Sequence, residues 1–559
     1  MHAQVKKVFL ISLDGATFDV LRPLMQQGYM PNLKKMVDTG LSAELESVVP
    51  PVTAPAWTSF MTGKNPNKHG IYDFMRFDPR DYTWHITNSQ TIGSKTIWQI
   101  VSDKGKRVVV LSLPYTYPPY QVNGIMVSGW DCPSADSSFT YPEWVRGQIL
   151  ETFPDYRNNY WVDDLRPKES DEQFKLFLHR LTRGFEQGAR LALQFLDSQK
   201  WDIFMVHFQQ TDWIQHKLWG YIEQACKDPS DKSTNVERVR QCYQFFDSIA
   251  GMLLESVDSK QAVRVVLSDH GFGSFDGAIC PNYFLRCWGY LHLDGKPRNT
   301  VAEVKDYLRN SENPLLRGTF QFASSAKGLF ASHHGPKTHD SWQDAVDEYQ
   351  PAERFDWTRT KVVSVLGSLR AFVFVNVKGR GLHGIVEPGE EYERVISDLI
   401  DRFKEVRHPR TGEQLLSGVT RGTEVYSSAP EGLFFPDLVL FPARGYGFSF
   451  ATSGTPPEPT TSGIHRQKGV LVMDGDGVAP TKDGFRPRLI DLAPTLLHLL
   501  GLAVPSDMEG RVLDEILTDR SPVRHEEADN SITPQLQPGY TADEAVLIEE
   551  RLKGLGYLE

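Results

Sequence analysis

Four short apolar runs recur along the first half of the chain, each closing on a polar residue or a proline: "KVFLISLDG" (7–15), "RVVVLSLP" (107–114), "WDIFMVHFQQTD" (201–212) and "AVRVVLSDHG" (262–271). Continuous rather than alternating runs of this length are the pattern of strands buried on both faces, as in a parallel sheet. Between them lie stretches such as "QFKLFLHRLTRGFEQGARLALQFLDSQ", whose apolar residues recur three and four apart, the spacing of an amphipathic helix. Strands alternating with helices predict an α/β layered fold with a mainly parallel sheet. Such sheets build their sites at the carboxyl ends of the strands.

The texture changes from about 281 to 434. "KPRNTVAEVKDYLRNSENP" and "SHHGPKTH" are polar and loop-rich, while "SLRAFVFVNVKGRGLHGIV" reads as a separate sheet element. This segment is expected to be an insertion that caps the main domain. The core is then discontinuous, 1–280 and 435–515, resuming at "PDLVLFPARG" and "KGVLVMDGDGV". It closes on "LIDLAPTLLHLLG", where Asp491 can cap a helix and Gly501 can stop it. Residues 516–559 read as a linker and a C-terminal helix, with Thr541 and Glu544 spaced as a capping box.

With 559 residues, 40% hydrophobic and 23% charged, the chain has the composition of a folded protein larger than one core usually supports. Its formal net charge of -11 and lack of a long basic run speak against nucleic-acid binding. Five cysteines without a CxxC pair fit a reduced thiol set, and the apolar run after Lys6 and Lys7 stops at Asp14, too short for a signal peptide. No stretch approaches the roughly 18 apolar residues of a membrane span. A cytoplasmic location is the expectation.

Candidate chemistry sits at the strand ends. Asp14 follows the first run; Asp212 and His216 lie four apart in "TDWIQH", on one face if helical; Asp269 and His270 are adjacent; His465 lies in "SGIHRQKGV". A seventh position, Thr53 in "VVPPVTAPAWTSFMTG", falls at or near the start of a helix that Pro55 favours and Gly63 can close. Its hydroxyl has two uses, as an N-cap or as a nucleophile at the positive end of the helix. Three Asp, three His and one Thr form a set that two divalent metal ions can share, and mixed carboxylate and imidazole ligands suit zinc, or manganese, better than calcium or magnesium. Two such ions suit displacement at phosphorus.

In "LISLDG", "MPNLKKMVDTG", "PPVTAPAWTSFMTGKNPNKHGIYDF", "TDWIQH", "SDHGFG", "GIHRQKGVLVM", "DLAPTLLHLLGL" and "DMEGRVL", in this order, the chain resembles the alkaline phosphatase superfamily, most closely its type I phosphodiesterase/nucleotide pyrophosphatase group. The resemblance implies a three-layer α/β sandwich. It implies one metal held by Asp14, Asp269 and His270 with Thr53 nearby, and another by Asp212, His216 and His465. It also implies hydrolysis of a small phosphate ester or diphosphate through a phosphothreonine on Thr53.

Two departures shape the expected substrate. Sulfatases of the superfamily carry Cys or Ser followed by x-Pro-x-Arg, whereas Thr53 is followed by Ala54, Pro55, Ala56 and Trp57. No Arg follows Thr53 until Arg76, so a diester or diphosphate fits better than a monoester dianion. Nucleotide pyrophosphatases place an Asn shortly after "HGI", where Phe74 stands here, so a nucleotide substrate is not carried over. Asp73, Phe74, Arg466 and Lys468 remain as candidate substrate contacts. The alternatives are a phosphomonoesterase or mutase of the same superfamily, and a metal-dependent binding protein without turnover. Trp213 and Trp219 suit core packing, and His333, His334 and His339 read as loop residues.

Overall fold

A computed structural model describes residues 6–156, 162, 164–294, 355–366, 369–426, 435–452, 460–480, 484–518, 521–529 and 539–555. An eight-stranded sheet lies at its centre. In spatial order its strands are Leu41–Glu46, Lys468–Asp474, Ala262–Leu267, Lys7–Leu13, Ile203–Phe208, Val108–Leu113, Gly124–Ser128 and Thr140–Tyr141. The four apolar runs are four adjacent strands in the middle of this order. They pair in parallel, in register Val8 to Ile203 and Val8 to Val263, and Gly124–Ser128 extends the parallel block. Lys468–Asp474 and Thr140–Tyr141 run antiparallel to their neighbours.

Burial explains the pattern. Every residue of Ile203–Phe208 and Val108–Leu113 is buried, so no polar position alternates with an apolar one. One helical layer combines Phe18–Gln26, Pro31–Thr39, Asp171–Ser198, Gln210–Lys227 and Thr234–Glu255; another combines Thr53–Thr62, Ile97–Asp103 and Leu492–Leu499. The result is the three-layer sandwich that the resemblance implies.

A second, four-stranded antiparallel sheet has the order Val362–Leu366, Ala371–Val375, Leu438–Pro442, Leu416–Arg421. It has its own apolar core, covered by the helix Glu390–Lys404, and draws in Tyr72, Phe77 and Tyr82 from the first part of the chain. The strand Leu438–Pro442, assigned by its sequence to a main domain resuming at 435, pairs on both sides within this second sheet. The second body therefore runs past 434. An apolar run records that a strand is buried, and its partners decide in which sheet.

His333, His334 and His339 lie outside the described residues. Asp491 stands at the start of Leu492–Leu499 but makes no capping bond. Its carboxylate accepts instead from Arg488 Nη2 at 2.8 Å and Arg511 N at 3.0 Å. Gly501 takes the left-handed conformation at φ 70°, and the Thr541–Glu544 capping box forms, with Thr541 N donating to Glu544 Oε2 at 2.9 Å. No helix among the described residues is long and apolar enough to cross a membrane, and none of the five cysteines is in a disulfide.

Candidate active site

Three neighbouring strands deliver the acidic residues to one edge of the sheet. Lys7–Leu13 lies between Ile203–Phe208 and Ala262–Leu267. Asp14 follows the first, Asp269 and His270 follow the third, and the helix Gln210–Lys227 begins just after the second. On that helix Asp212 and His216 stand one turn apart, with His216 Nε2 3.5 Å from Asp212 Oδ1. His465 comes from Gly463–Arg466, which pairs antiparallel with Gly271–Ser274, so His465 lies opposite Phe272. Gly15 makes the tight exit from the first strand: its φ is +64°, and a Cβ there would meet Asp212 Oδ1 at 3.2 Å.

The six side chains converge. His465 Nε2 is 3.1 Å from Asp212 Oδ1 and 2.8 Å from His216 Nε2. His270 Nε2 is 3.3 Å from Asp269 Oδ2 and 3.5 Å from Asp14 Oδ1. Ligand atoms of Asp14, Asp269 and His270 lie within 4.8 Å of one another, as do those of Asp212, His270 and His465. His270 thus belongs to both groups, its ring stacked on that of His465 with centroids 3.7 Å apart. Phe272 packs edge-on against His216 and His465, fixing both rings.

The electrostatics call for cations. His465 Nδ1 faces the carbonyl of Pro51 and His270 Nδ1 that of Gly271. A carbonyl only accepts, so each Nδ1 carries the proton and each Nε2 turns a lone pair into the cluster. Burial holds the imidazoles neutral, pulling His216 and His465 down to about 3 and His270 well below its usual value. Burial, then repulsion from Asp269 and Asp212, pushes Asp14 well above the usual carboxylate range, and burial does the same to Asp269. Among the described residues Asp14 Oδ1 and Asp269 Oδ2 accept no hydrogen bond. Buried lone pairs and carboxylates aimed at one another are donors that a divalent ion could use; such an ion would bring the carboxylates back down and keep the imidazoles neutral.

Thr53 is the first residue of the helix Thr53–Thr62, and Val52 takes the N-cap position. Its hydroxyl makes no capping bond. Thr53 Oγ1 lies 3.3 Å from His270 Nε2, at the head of the helix and against the cluster. Thr53, Asp14, Asp212, Asp269 and His270 have no exposed surface, while the His216 side chain is 15% exposed and marks the solvent side.

The candidate substrate contacts divide. Lys468 makes an exposed pair at 2.6 Å with Glu44 of the edge strand Leu41–Glu46. Arg466, next along the strand from His465, donates to the carbonyls of His465 and Ser274. Phe74 is buried against Tyr115 and Trp130, and the Asp73 carboxylate accepts from the Phe74 amide at 2.7 Å. The structure therefore brings together the seven metal and nucleophile candidates; of the other four, Lys468 pairs with Glu44, Phe74 is a core residue, and Asp73 and Arg466 meet main-chain groups. Trp213 and Trp219 are core residues, as expected.

Two supports of the site have no sequence signal of their own. Trp57, in the register where sulfatases carry Arg, donates its indole N–H to Asp14 Oδ2 at 2.8 Å. His207, a lone histidine inside an apolar strand, stacks edge-on against Trp57, lies 3.6 Å from Asp14 Oδ2 and meets Gln209 Oε1 at 2.9 Å.

A mainly parallel sheet whose strand ends gather three carboxylates and three imidazoles beside a hydroxyl is an arrangement that fits a phosphoester hydrolase. The family follows from the sequence: the chain belongs to the type I phosphodiesterase/nucleotide pyrophosphatase family, whose sequence model matches residues 8–470. Among solved structures, the fold is similar to phosphonoacetate hydrolase from Sinorhizobium meliloti 1021 in complex with phosphonoformate, at 15% identity and a TM-score of 0.51, over 89% of this chain and 96% of that one. Human ectonucleotide pyrophosphatase/phosphodiesterase 5 aligns over 92% of this chain and 100% of its own at 12% identity, with a TM-score of 0.49. Likeness at such identities concerns the fold alone. No curated protein matches the chain in sequence.

Proposed function

We propose that the protein is a two-metal hydrolase that cleaves a phosphodiester or phosphoanhydride bond through a covalent phosphothreonine on Thr53. The observation that carries this reading is the position of Thr53 Oγ1, uncommitted to capping and 3.3 Å from His270 Nε2 at the head of a ten-residue helix. The electron-rich cluster fits two divalent ions, most simply zinc, one on Asp14, Asp269 and His270 and the other on Asp212, His216 and His465. Bound there, the ions would neutralise the carboxylates, lower the pKa of a nearby hydroxyl and offset charge on phosphoryl oxygens.

The chain's own residues supply the rest. Thr53 Oγ gives up its proton to solvent and bonds to phosphorus as the bond to the departing oxygen breaks, and that oxygen leaves with a proton from water. Water then cleaves the phosphothreonine and restores the hydroxyl. Free amides in the first helical turn favour negative charge beside Thr53. Trp57 holds the Asp14 carboxylate through its indole N–H, and the His207 ring packs edge-on against Trp57. Because Trp57 occupies the register where an arginine could meet a dianion, and spends its N–H on Asp14, the lower charge of a diester or diphosphate suits the site.

Purified protein with zinc or manganese should hydrolyse bis-p-nitrophenyl phosphate faster than p-nitrophenyl phosphate, and chelation should abolish both rates. Turnover that survives exhaustive metal removal would contradict the mechanism. A faster monoester would turn the reading toward a phosphomonoesterase.

A further inference from the structure

We propose that Arg370 forms an anion subsite beside the catalytic cluster and binds a second oxyanion, a carboxylate or a phosphate, on the substrate arm that faces the four-stranded sheet. The subsite presupposes the phosphoester hydrolysis proposed above and adds a substrate class to it.

Arg370 stands immediately before the strand Ala371–Val375, with its guanidinium partly buried. Arg466 repels it, and among the described residues no carboxylate forms an ion pair with it. Nη1 donates to the carbonyl of Leu369 at 2.6 Å and Nη2 to Gln467 Oε1 at 3.1 Å. Among the described residues, Nε is buried and meets no acceptor. The ring of Phe441 lies 4.8 Å from the guanidinium carbon, and burial pulls the group down to about 10. A guanidinium withdrawn from water is costly unless it is paired. One that keeps donors in reserve, with no acid to meet them, has the form of a carboxylate or phosphate fork.

Its neighbours place it at the site. Gln467, which accepts from Arg370, donates through Nε2 to the carbonyls of Ser47 and Val48. Tyr426 donates its hydroxyl to the carbonyl of Val49 at 2.6 Å. Those three carbonyls belong to the segment that runs into Thr53, and the next contact along it is Pro51 O with His465 Nδ1. Arg370 is thus held against the stretch of chain that presents the nucleophile. Arg466, tied to main-chain carbonyls, adds a second positive charge nearby.

A purely structural staple between the two sheets would need a donor to Gln467 but no charge. Kinetics separate the two roles. The test uses three p-nitrophenyl phosphodiesters with one leaving group and different second arms (methyl, carboxyethyl and phosphoethyl), together with p-nitrophenyl phosphate, on the metal-loaded full-length protein. The charged arms are expected to raise kcat/KM about 10- to 100-fold over the methyl arm, through KM, and the larger ratio identifies the oxyanion. Arg370→Gln should collapse that ratio, and Arg370→Lys should keep part of it, with melting temperature and metal content confirming the fold.

Equal activity of the wild type on all three arms overturns the subsite and leaves the hydrolase reading standing. Equal loss on all three in Arg370→Gln assigns a staple and also overturns it. A loss confined to p-nitrophenyl phosphate places Arg370 on the reacting phosphoryl group, again overturning it. No turnover of any ester by the wild type overturns both readings. If Arg370→Gln does not fold, the comparison of arms on the wild type decides alone.

Discussion

Asp437 and Asp14 are both buried carboxylates at the end of a strand, one in each sheet, and their surroundings are opposite. Asp437 accepts from Val375 N and Arg380 Nη1 at 2.7 Å each and from Tyr392 OH at 2.8 Å, so both of its oxygens are met. Asp14 accepts from Trp57 through Oδ2, while Oδ1 looks toward Asp269, His270 and a cluster with no cation of its own. The first arrangement repays the cost of burial inside the chain; the second does so only with a bound ion. A satisfied buried acid in this protein is architecture, and an unsatisfied cluster of them is a site.

Breaking that contrast should give opposite signatures at the two positions. Asp269→Asn removes a proposed metal ligand and a repelling charge together. Activity should fall by about 1,000-fold or more, since a catalytic ion contributes several kcal/mol. Bound metal should drop, and the metal-free protein should unfold at no lower urea concentration than metal-free wild type. Asp437→Ala leaves Arg380 without its partner. It should cost about 3 to 5 kcal/mol of stability in urea unfolding, while metal content per folded molecule stays at the wild-type level.

Asp131 is an intermediate case that sharpens the rule. Its Oδ2 accepts from the amides of Tyr115 and Tyr117, and its Oδ1 is buried without a partner among the described residues. Burial raises it to about 7. The native state therefore keeps a proton that the unfolded chain releases near pH 4. The stabilising contribution is complete below that pH and is lost as pH rises toward 7, at about 1.4 kcal/mol per pH unit. Asp131→Asn should flatten that part of the profile, and an unchanged slope would remove Asp131 from the account. At the small end, Lys468→Ala breaks an exposed pair with Glu44. It should shift stability by less than about 1 kcal/mol and leave phosphodiester turnover unaltered, which a matched rate assay checks.

The four middle strands of the large sheet were legible in the sequence, because they are buried on both faces and so read as unbroken apolar runs, whereas the outer strands Leu41–Glu46, Gly124–Ser128 and Thr140–Tyr141 were not. Asp14, Asp269 and His270, which directly follow two of those runs, were legible for the same reason: polar groups that terminate such runs have few structural uses. Three kinds of information were not local. The strand Leu438–Pro442 looks the same whichever sheet it joins. Thr53 stands at the start of its helix as read, but the orientation of its hydroxyl depends on His270, a partner distant in sequence. His207, Trp57 and Arg370 act through partners far away in sequence, so nothing beside them in the chain marks their roles.

The central claim concerns Thr53, and one preparation tests it directly. Thr53→Ala, purified and reconstituted with zinc or manganese, should bind two equivalents of metal and melt close to wild type, because Thr53 supplies no capping bond. Its kcat for bis-p-nitrophenyl phosphate should be lower by orders of magnitude, the covalent route being closed. Thr53→Ser, which keeps a hydroxyl at the same atom, should retain measurable turnover. A Thr53→Ala protein that is folded, loaded with metal and nearly as active as wild type would contradict the account.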